Sequence, residues 1–211
     1  MTDPRATGRA PRLPRSFFAR GPCAVARALL GRELVHETAR GTVSGRIVEV
    51  EAYGGESDPA SHARPGPTRR NASMYGPPGH AYVYRSHGIH LCFNVVTGRA
   101  GSASAVLVRA LEPTRGLATM ARWRGVGDPR RWTPGPGCVG EALGLERRHD
   151  GHDLTGETLW IGRRRVRHPG ERIVATPRIG IRVGREWLWR FVLEHPGGDR
   201  GAAVRLPRVG R

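Results

Sequence analysis

The run at residues 42–53, Thr-Val-Ser-Gly-Arg-Ile-Val-Glu-Val-Glu-Ala-Tyr, does most to limit what this chain can fold into. Its residue types alternate with a period of two, which suits a β-strand and not a helix. Arg46, Val48, Val50 and Ala52 fall on one face, and Ile47, Glu49, Glu51 and Tyr53 on the other. A strand must pair, so the chain has to build a sheet around this run. Further β-rich runs stand at 81–84, 91–96 and 105–111, with short strands expected around Ile161, Ile173-Val174 and 189–193. Helical signals are fewer. Pro22 sits at a first helical position, Val25, Ala26, Leu29 and Leu30 form an apolar stripe, and Gly31 ends it. Thr114 is placed to cap a helix through Arg124, and 139–145 reads as a short helix. With 30 glycines and 17 prolines in 211 residues, turns are plentiful. No repeat or linker divides the chain. The reading is a mixed α/β (α+β) fold in one domain, 16–211, behind a disordered basic arm, 1–15.

Charge narrows the partners. There are 35 basic and 18 acidic residues, a formal net charge of +17, and every basic residue is arginine. The absence of lysine excludes Schiff-base catalysis and any P-loop that needs its lysine. Acidic residues are absent from all 53 positions between Asp58 and Glu112. The same stretch holds Arg64, Arg69, Arg70, Arg85, Arg99 and Arg109, four histidines, and Tyr75, Tyr82, Tyr84 and Phe93. Guanidinium groups suit phosphates and flat rings suit bases, so this segment reads as a nucleic-acid surface; a solvated face in an arginine-rich chain is the plainer reading. Cys23, Cys92 and Cys138 are odd in number and far apart, which speaks against a disulfide framework. No apolar run is long enough to cross a membrane and the N-terminus lacks a signal-peptide pattern, so a cytoplasmic, DNA-associated, non-secreted protein is expected.

Several groups of residues bear on chemistry. Glu49, Glu51 and Tyr53 share a strand face just before the Pro-rich loop 54–78, where a carboxylate can serve as a general base. An ordinary polar strand face is the plainer account, and a divalent-cation site with Asp58 or His62 is a third. His87-x-x-His90 with Cys92 lacks a second pair of soft ligands for zinc. Gly135-Pro136-Gly137-Cys138-Val139-Gly140 formally matches a dinucleotide fingerprint but follows no strand, so it reads as a turn into a helix.

Taken together, Arg46-Ile47-Val48-Glu49-Val50-Glu51-Ala52-Tyr53, Ser61-His62, Gly79-His80-Ala81-Tyr82-Val83-Tyr84, Asn94 and Val108-Arg109-Ala110-Leu111-Glu112-Pro113 resemble the alkyladenine (methylpurine, 3-methyladenine) DNA glycosylase family. Weaker likeness extends to 13–20, to Gly135-Pro136-Gly137 with Ala142-Leu143-Gly144, and to Pro177-Arg178-Ile179-Gly180-Ile181. The resemblance implies a single domain around a curved antiparallel sheet with surrounding helices. It also implies a base-excision-repair hydrolase that flips an alkylated or deaminated purine out of duplex DNA and hydrolyses its N-glycosidic bond. Glu51 matches the general base that activates water. Tyr53, His62 and Tyr84 match the residues that sandwich the flipped base, and Asn94 the one that crowds the guanine amino group. Arg109 matches an arginine that holds the flipped nucleotide. Where the family often has a wedging tyrosine, this chain has His87, with Ile89 beside it. Arg64 and Arg85 are further expected DNA contacts.

Strand cleavage by such enzymes uses an amine nucleophile, usually lysine. Without lysine, and with Met1 rather than proline first, a monofunctional, water-based reaction without metal or cofactor is expected, on damaged double-stranded DNA and by a monomer. The competing readings are a non-enzymatic basic DNA-binding protein and a metal-dependent nuclease.

Overall fold

In the computed structural model, which describes residues 11–196, the alternating run becomes β2 (Gly41–Gly54) in an antiparallel sheet of eight strands. The others are β1 (Arg32–Thr38), β3 (Ala81–Ser86), β4 (His90–Thr97), β5 (Ser104–Arg115), β6 (Leu159–Arg165), β7 (Arg172–Thr176) and β8 (Arg190–Glu194). The order is β3-β4-β5-β2-β1-β6, and the sheet stays open. The first part of β2 pairs with β1, whereas Glu49–Glu51 pair with β8, which carries β7 on its far side. Every expected strand is found, and the fold is the mixed α/β single domain expected.

The two faces of β2 depart from strict alternation at one place. Ile47 opposes Leu111 and Glu49 opposes Ala110, so Val48 is an extra residue in the ladder. A bulge of this kind turns adjacent side chains the same way. Ile47 and Val48 both enter the core with Val50 and Ala52, which corrects the placement of Ile47 beside the glutamates. Arg46, expected on an apolar face, is buried by ion pairs: Nε donates to Glu112 at 2.7 Å, and Nη1 and Nη2 to Glu171 at 3.0 and 2.8 Å.

Four helices occur among the described residues: α1 (Arg15–Phe18), α2 (Pro22–Leu29), α3 (Leu117–Arg124) and α4 (Pro136–Ala142). Pro22 opens α2, whose Val25, Ala26 and Leu29 pack into the core. Thr114 does not cap α3. It continues β5, and its hydroxyl donates to Glu33 at 2.6 Å; α3 begins after Gly116, whose φ of +70° turns the chain out of the sheet. The helix expected at 139–145 lies one turn earlier because Pro136 presets its first turn. Gly140 lets α4 lie directly on β4: a Cβ there would stand 2.0 Å from the Leu91 carbonyl oxygen.

Part of the expected arm is ordered. Arg12 bridges Gly162, Leu13 is buried, and Arg15 donates to Asp153 at 2.6 Å; residues 1–10 lie outside the described residues. A single apolar residue, Leu13, anchors this stretch in the core. The loop 54–78 is organised by buried Asn71, whose Nδ2 donates to the carbonyls of His62 and Gly66 and whose Oδ1 accepts from Thr68 N–H. Edge strand β3 is covered by the turn Arg147–His149: Asp150 accepts from Val83 N–H at 2.9 Å and Arg147 donates to Val83 O at 3.1 Å. His36 and His149 meet edge-to-face at 4.8 Å and fasten that turn to β1. Among the described residues, no helix is long and apolar enough to cross a membrane.

Candidate active site

Registers across the sheet set the site. Glu51 opposes Leu107, Leu107 opposes Asn94, and Asn94 opposes Tyr82. Directly opposed residues share a face, so one row crosses β2, β5, β4 and β3 on the side away from α2. Two residues toward one end of the row lie Arg109, Cys92 and Tyr84, and two residues toward the other lies Tyr53, opposite Ala105. Above this floor opens a cavity of about 660 Å³, whose walls include Tyr53, His62, Tyr82, Tyr84, His87, Asn94 and Arg109. Loop residues Arg70 and Met74 and the segment Ile179–Arg182 complete it.

The aromatic wall is packed by its own rings. Tyr82 and Tyr84 stack with centroids 5.3 Å apart, and His62 meets Tyr84 edge-on at 4.5 Å. His62 Nδ1 and the Tyr82 hydroxyl are 2.9 Å apart. Burial, seconded by the charge of Arg70, holds the His62 imidazole below its ordinary value. Burial likewise pushes the Tyr82 phenol up to about 12 and raises Tyr84 further, and it raises Tyr53 with help from the Glu51 charge. The rings of this wall are therefore neutral at pH 7. Asn94 is fixed by donation from Nδ2 to the Tyr82 carbonyl at 3.0 Å.

Glu51 lies one layer beneath the wall and is fully buried. Its Oε2 accepts from the Tyr53 hydroxyl at 2.9 Å; Oε1 accepts from Ile179 N–H at 2.8 Å and stands 3.3 Å from Arg109 Nη1. Neighbouring Glu49 takes Arg109 Nε and Arg190 Nε, both at 2.7 Å, on one oxygen. Asp58 is bound by Arg178. All three carboxylates of the cation-site reading are thus engaged by arginines. Burial alone would strip Arg109 of its proton more easily, but Glu51 and Glu49 outweigh it and hold its charge.

The structure brings Glu51, Tyr53, His62, Tyr84, His87, Asn94 and Arg109 to one place. Arg109 is turned onto two carboxylates, because two acids beneath one wall need a cation, and it also lines the cavity. Ile89 stands at the tip of the β3–β4 hairpin, 70% exposed. Arg85 caps that hairpin through Gly88 O, and Arg64 lies outside the cavity wall, reaching Glu56 O. Tyr82 was legible as a wall residue, being two positions from Tyr84 on one strand. Arg178 and Ile179 fall in the weakly matching run 177–181, which gave no sign that they would stand beside Glu51.

Comparisons with known proteins identify the family. The family model described as methylpurine-DNA glycosylase (MPG) matches residues 16–196. A relative from Rhodopseudomonas palustris (strain ATCC BAA-98 / CGA009) is 50% identical over 184 residues, covering 87% of this chain and 85% of its own. Relatives from Carboxydothermus hydrogenoformans (45% identical, 87% and 95% covered) and Methanoculleus marisnigri (47%, 86% and 95%) bear the same name, "Putative 3-methyladenine DNA glycosylase". With the matched segment spanning every strand and the whole cavity wall, the chain belongs to the methylpurine-DNA glycosylase family.

Proposed function

We propose that this DNA-repair glycosylase flips a damaged purine nucleotide out of duplex DNA into the cavity and hydrolyses its N-glycosidic bond with water activated by Glu51, leaving the strand intact. The observation that carries the reading is a fully buried carboxylate, aimed by three donors, directly beneath a neutral aromatic wall. A flipped base has lost its stacking partners, and Tyr53, His62 and Tyr84 offer flat surfaces in exchange. A neutral His62 adds no charge against a cationic alkylated purine. Asn94, held by its bond to Tyr82, crowds the exocyclic amino group of normal guanine.

Oε1 of Glu51 is filled by Ile179 N–H and Arg109, so water approaches along Oε2, sharing that oxygen with the Tyr53 hydroxyl. As the glycosidic bond breaks, the sugar gains oxocarbenium character. Glu51 then takes the proton of the attacking water and offsets the growing positive charge. The bond formed is from water oxygen to C1′, and the bond broken is from C1′ to the purine nitrogen. The chain has no lysine to attack C1′ in place of water.

The test is base release under single-turnover conditions, enzyme in excess, from duplexes carrying hypoxanthine or an alkylated purine, with chelator present. The expected result is release by the wild type, slowed at least about 100-fold in Glu51→Gln with DNA binding retained. Binding without release on both substrates would reduce the protein to a DNA-binding module.

A further inference from the structure

Two of the three donors that hold Glu51 share a neighbour. Ile179, whose N–H meets Oε1, follows Arg178 in the chain, and the ring of Tyr53, whose hydroxyl meets Oε2, lies 4.8 Å from the Arg178 guanidinium carbon. Arg178 touches neither the cavity nor Glu51. Its side chain is fully buried, as is that of Asp58, 120 residues earlier in the sequence.

The pair is fixed in every direction. Arg178 donates to Asp58 through both terminal nitrogens, at 2.5 and 2.8 Å, and to the Ala52 carbonyl at 3.0 Å. Trp189 and Trp187 lie 5.4 and 5.7 Å from the guanidinium carbon. Asp58 also accepts from Gly54 N–H and Ala60 N–H, both at 3.0 Å, so the start of the loop 54–78 is tied to the same point. Burial by itself would raise the Asp58 carboxyl; Arg178 and the two N–H groups outweigh it and hold it ionised.

Stability alone is a poor reason for this arrangement. A buried ion pair is often matched or exceeded by well-packed apolar side chains of the same volume. Here the pair also leaves Arg178 Nε without an acceptor among the described residues. What apolar residues cannot supply is a rigid fork that sets one peptide N–H and one phenol at hydrogen-bond distance from the same carboxylate.

We infer that Asp58 and Arg178 are a positioning pair for the glycosylase reaction: they act through Ile179 N–H and Tyr53 to aim the Glu51 carboxylate, and touch no substrate. The inference rests on the reading of Glu51 as the general base. It assigns to the segment 177–181 a task besides lining the cavity.

The experiment is a double-mutant cycle between Arg178→Lys and Glu51→Gln, with Asp58→Asn as an independent second probe. It reads single-turnover release of an alkylated purine, which leaves readily enough for residual rates to be measured, and binding to a duplex with a tetrahydrofuran abasic analogue. Arg178→Lys and Asp58→Asn are each expected to slow release about 10- to 100-fold while changing binding less than about threefold. In the Glu51→Gln background the same substitutions should change the residual rate less than about threefold, because the group they aim is gone.

Equal losses in both backgrounds, or losses confined to binding, would make the pair structural and overturn the inference. Should Arg178→Lys fail to fold, shown by loss of its cooperative melt, the Asp58→Asn arm decides by the same criteria. If Glu51→Gln itself released base at the wild-type rate, the general-base reading would fall with it. That outcome is distinct, because it appears in the single Glu51 variant before the pair is touched.

Discussion

At the scale of single residues, the site was legible wherever one side chain defines it. Glu51, Tyr53, His62, Tyr84 and Asn94 stand out through the family resemblance, and strand period puts Glu51 and Tyr53 on one face of β2, while His62 comes from the loop. What sequence left open was which groups each would meet. Arg109 is expected to hold the flipped nucleotide, and only the fold shows that it also stands over Glu49 and Glu51. His87 is a sharper case. It takes a left-handed conformation, φ +49°, at the turn between β3 and β4, which a residue adopts only at some cost. It lines the cavity while Ile89 projects from the same turn. The expectation is that these two fill the gap left by the flipped nucleotide. His87→Ala should then weaken binding to abasic-analogue duplex about 5- to 20-fold, and binding to undamaged duplex less than about twofold. Equal losses on both duplexes, measured by fluorescence anisotropy, would make His87 a simple phosphate contact.

At the scale of elements, period and punctuation found seven of the eight strands, missing β1, whose Arg32–Thr38 run shows no clean alternation, and they did not show the strands' irregularities. The bulge at Val48 depends on where β5 slips against β2, a property of two segments that neither run displays alone. Thr114 read as a helix cap because a hydroxyl preceded a helical run, yet β5 continues through it and Glu33 takes its hydroxyl. The turn Arg147–His149 has no periodic signal at all, and its buried histidines make a testable element. Burial, with the nearby His36 next, lowers His149 to about 4, and burial lowers His36 as well. An unfolded imidazole takes its proton near pH 6.5, so between there and about 4 the unfolded chain binds protons that the folded turn refuses. Stability is complete above that window and is lost as pH falls through it. Urea denaturation should show a loss of about 2 kcal/mol from His149 between pH 7 and pH 5. In His149→Asn, which keeps an acceptor for Glu146 N–H, that slope should shrink; an unchanged slope would show that other groups set it.

At the scale of the whole molecule, charge and fold act together. A net charge of +17 makes electrostatic attraction to DNA phosphates the main term in binding, whatever the lesion. Binding to undamaged duplex should fall with salt with a log–log slope steeper than about −3, since each phosphate neutralised contributes about −0.9. Raising salt should erode the affinity for undamaged and abasic-analogue duplexes in parallel, because the rings proposed to take the base, Tyr53, His62 and Tyr84, carry no charge; a shallow slope on undamaged DNA would locate the affinity elsewhere.

The partner switch of β2 has a further consequence, for how the protein is made. Its first part closes against β1 early, while the stretch bearing Glu51 waits for β8, and the donor from Ile179 comes just ahead of β8. A nascent chain leaving the ribosome can thus assemble the cavity floor from β2 to β5 well before the clamp on Glu51 has been translated. By chain order, the surface proposed to take the base can form before the peptide N–H that holds its proposed general base has been made.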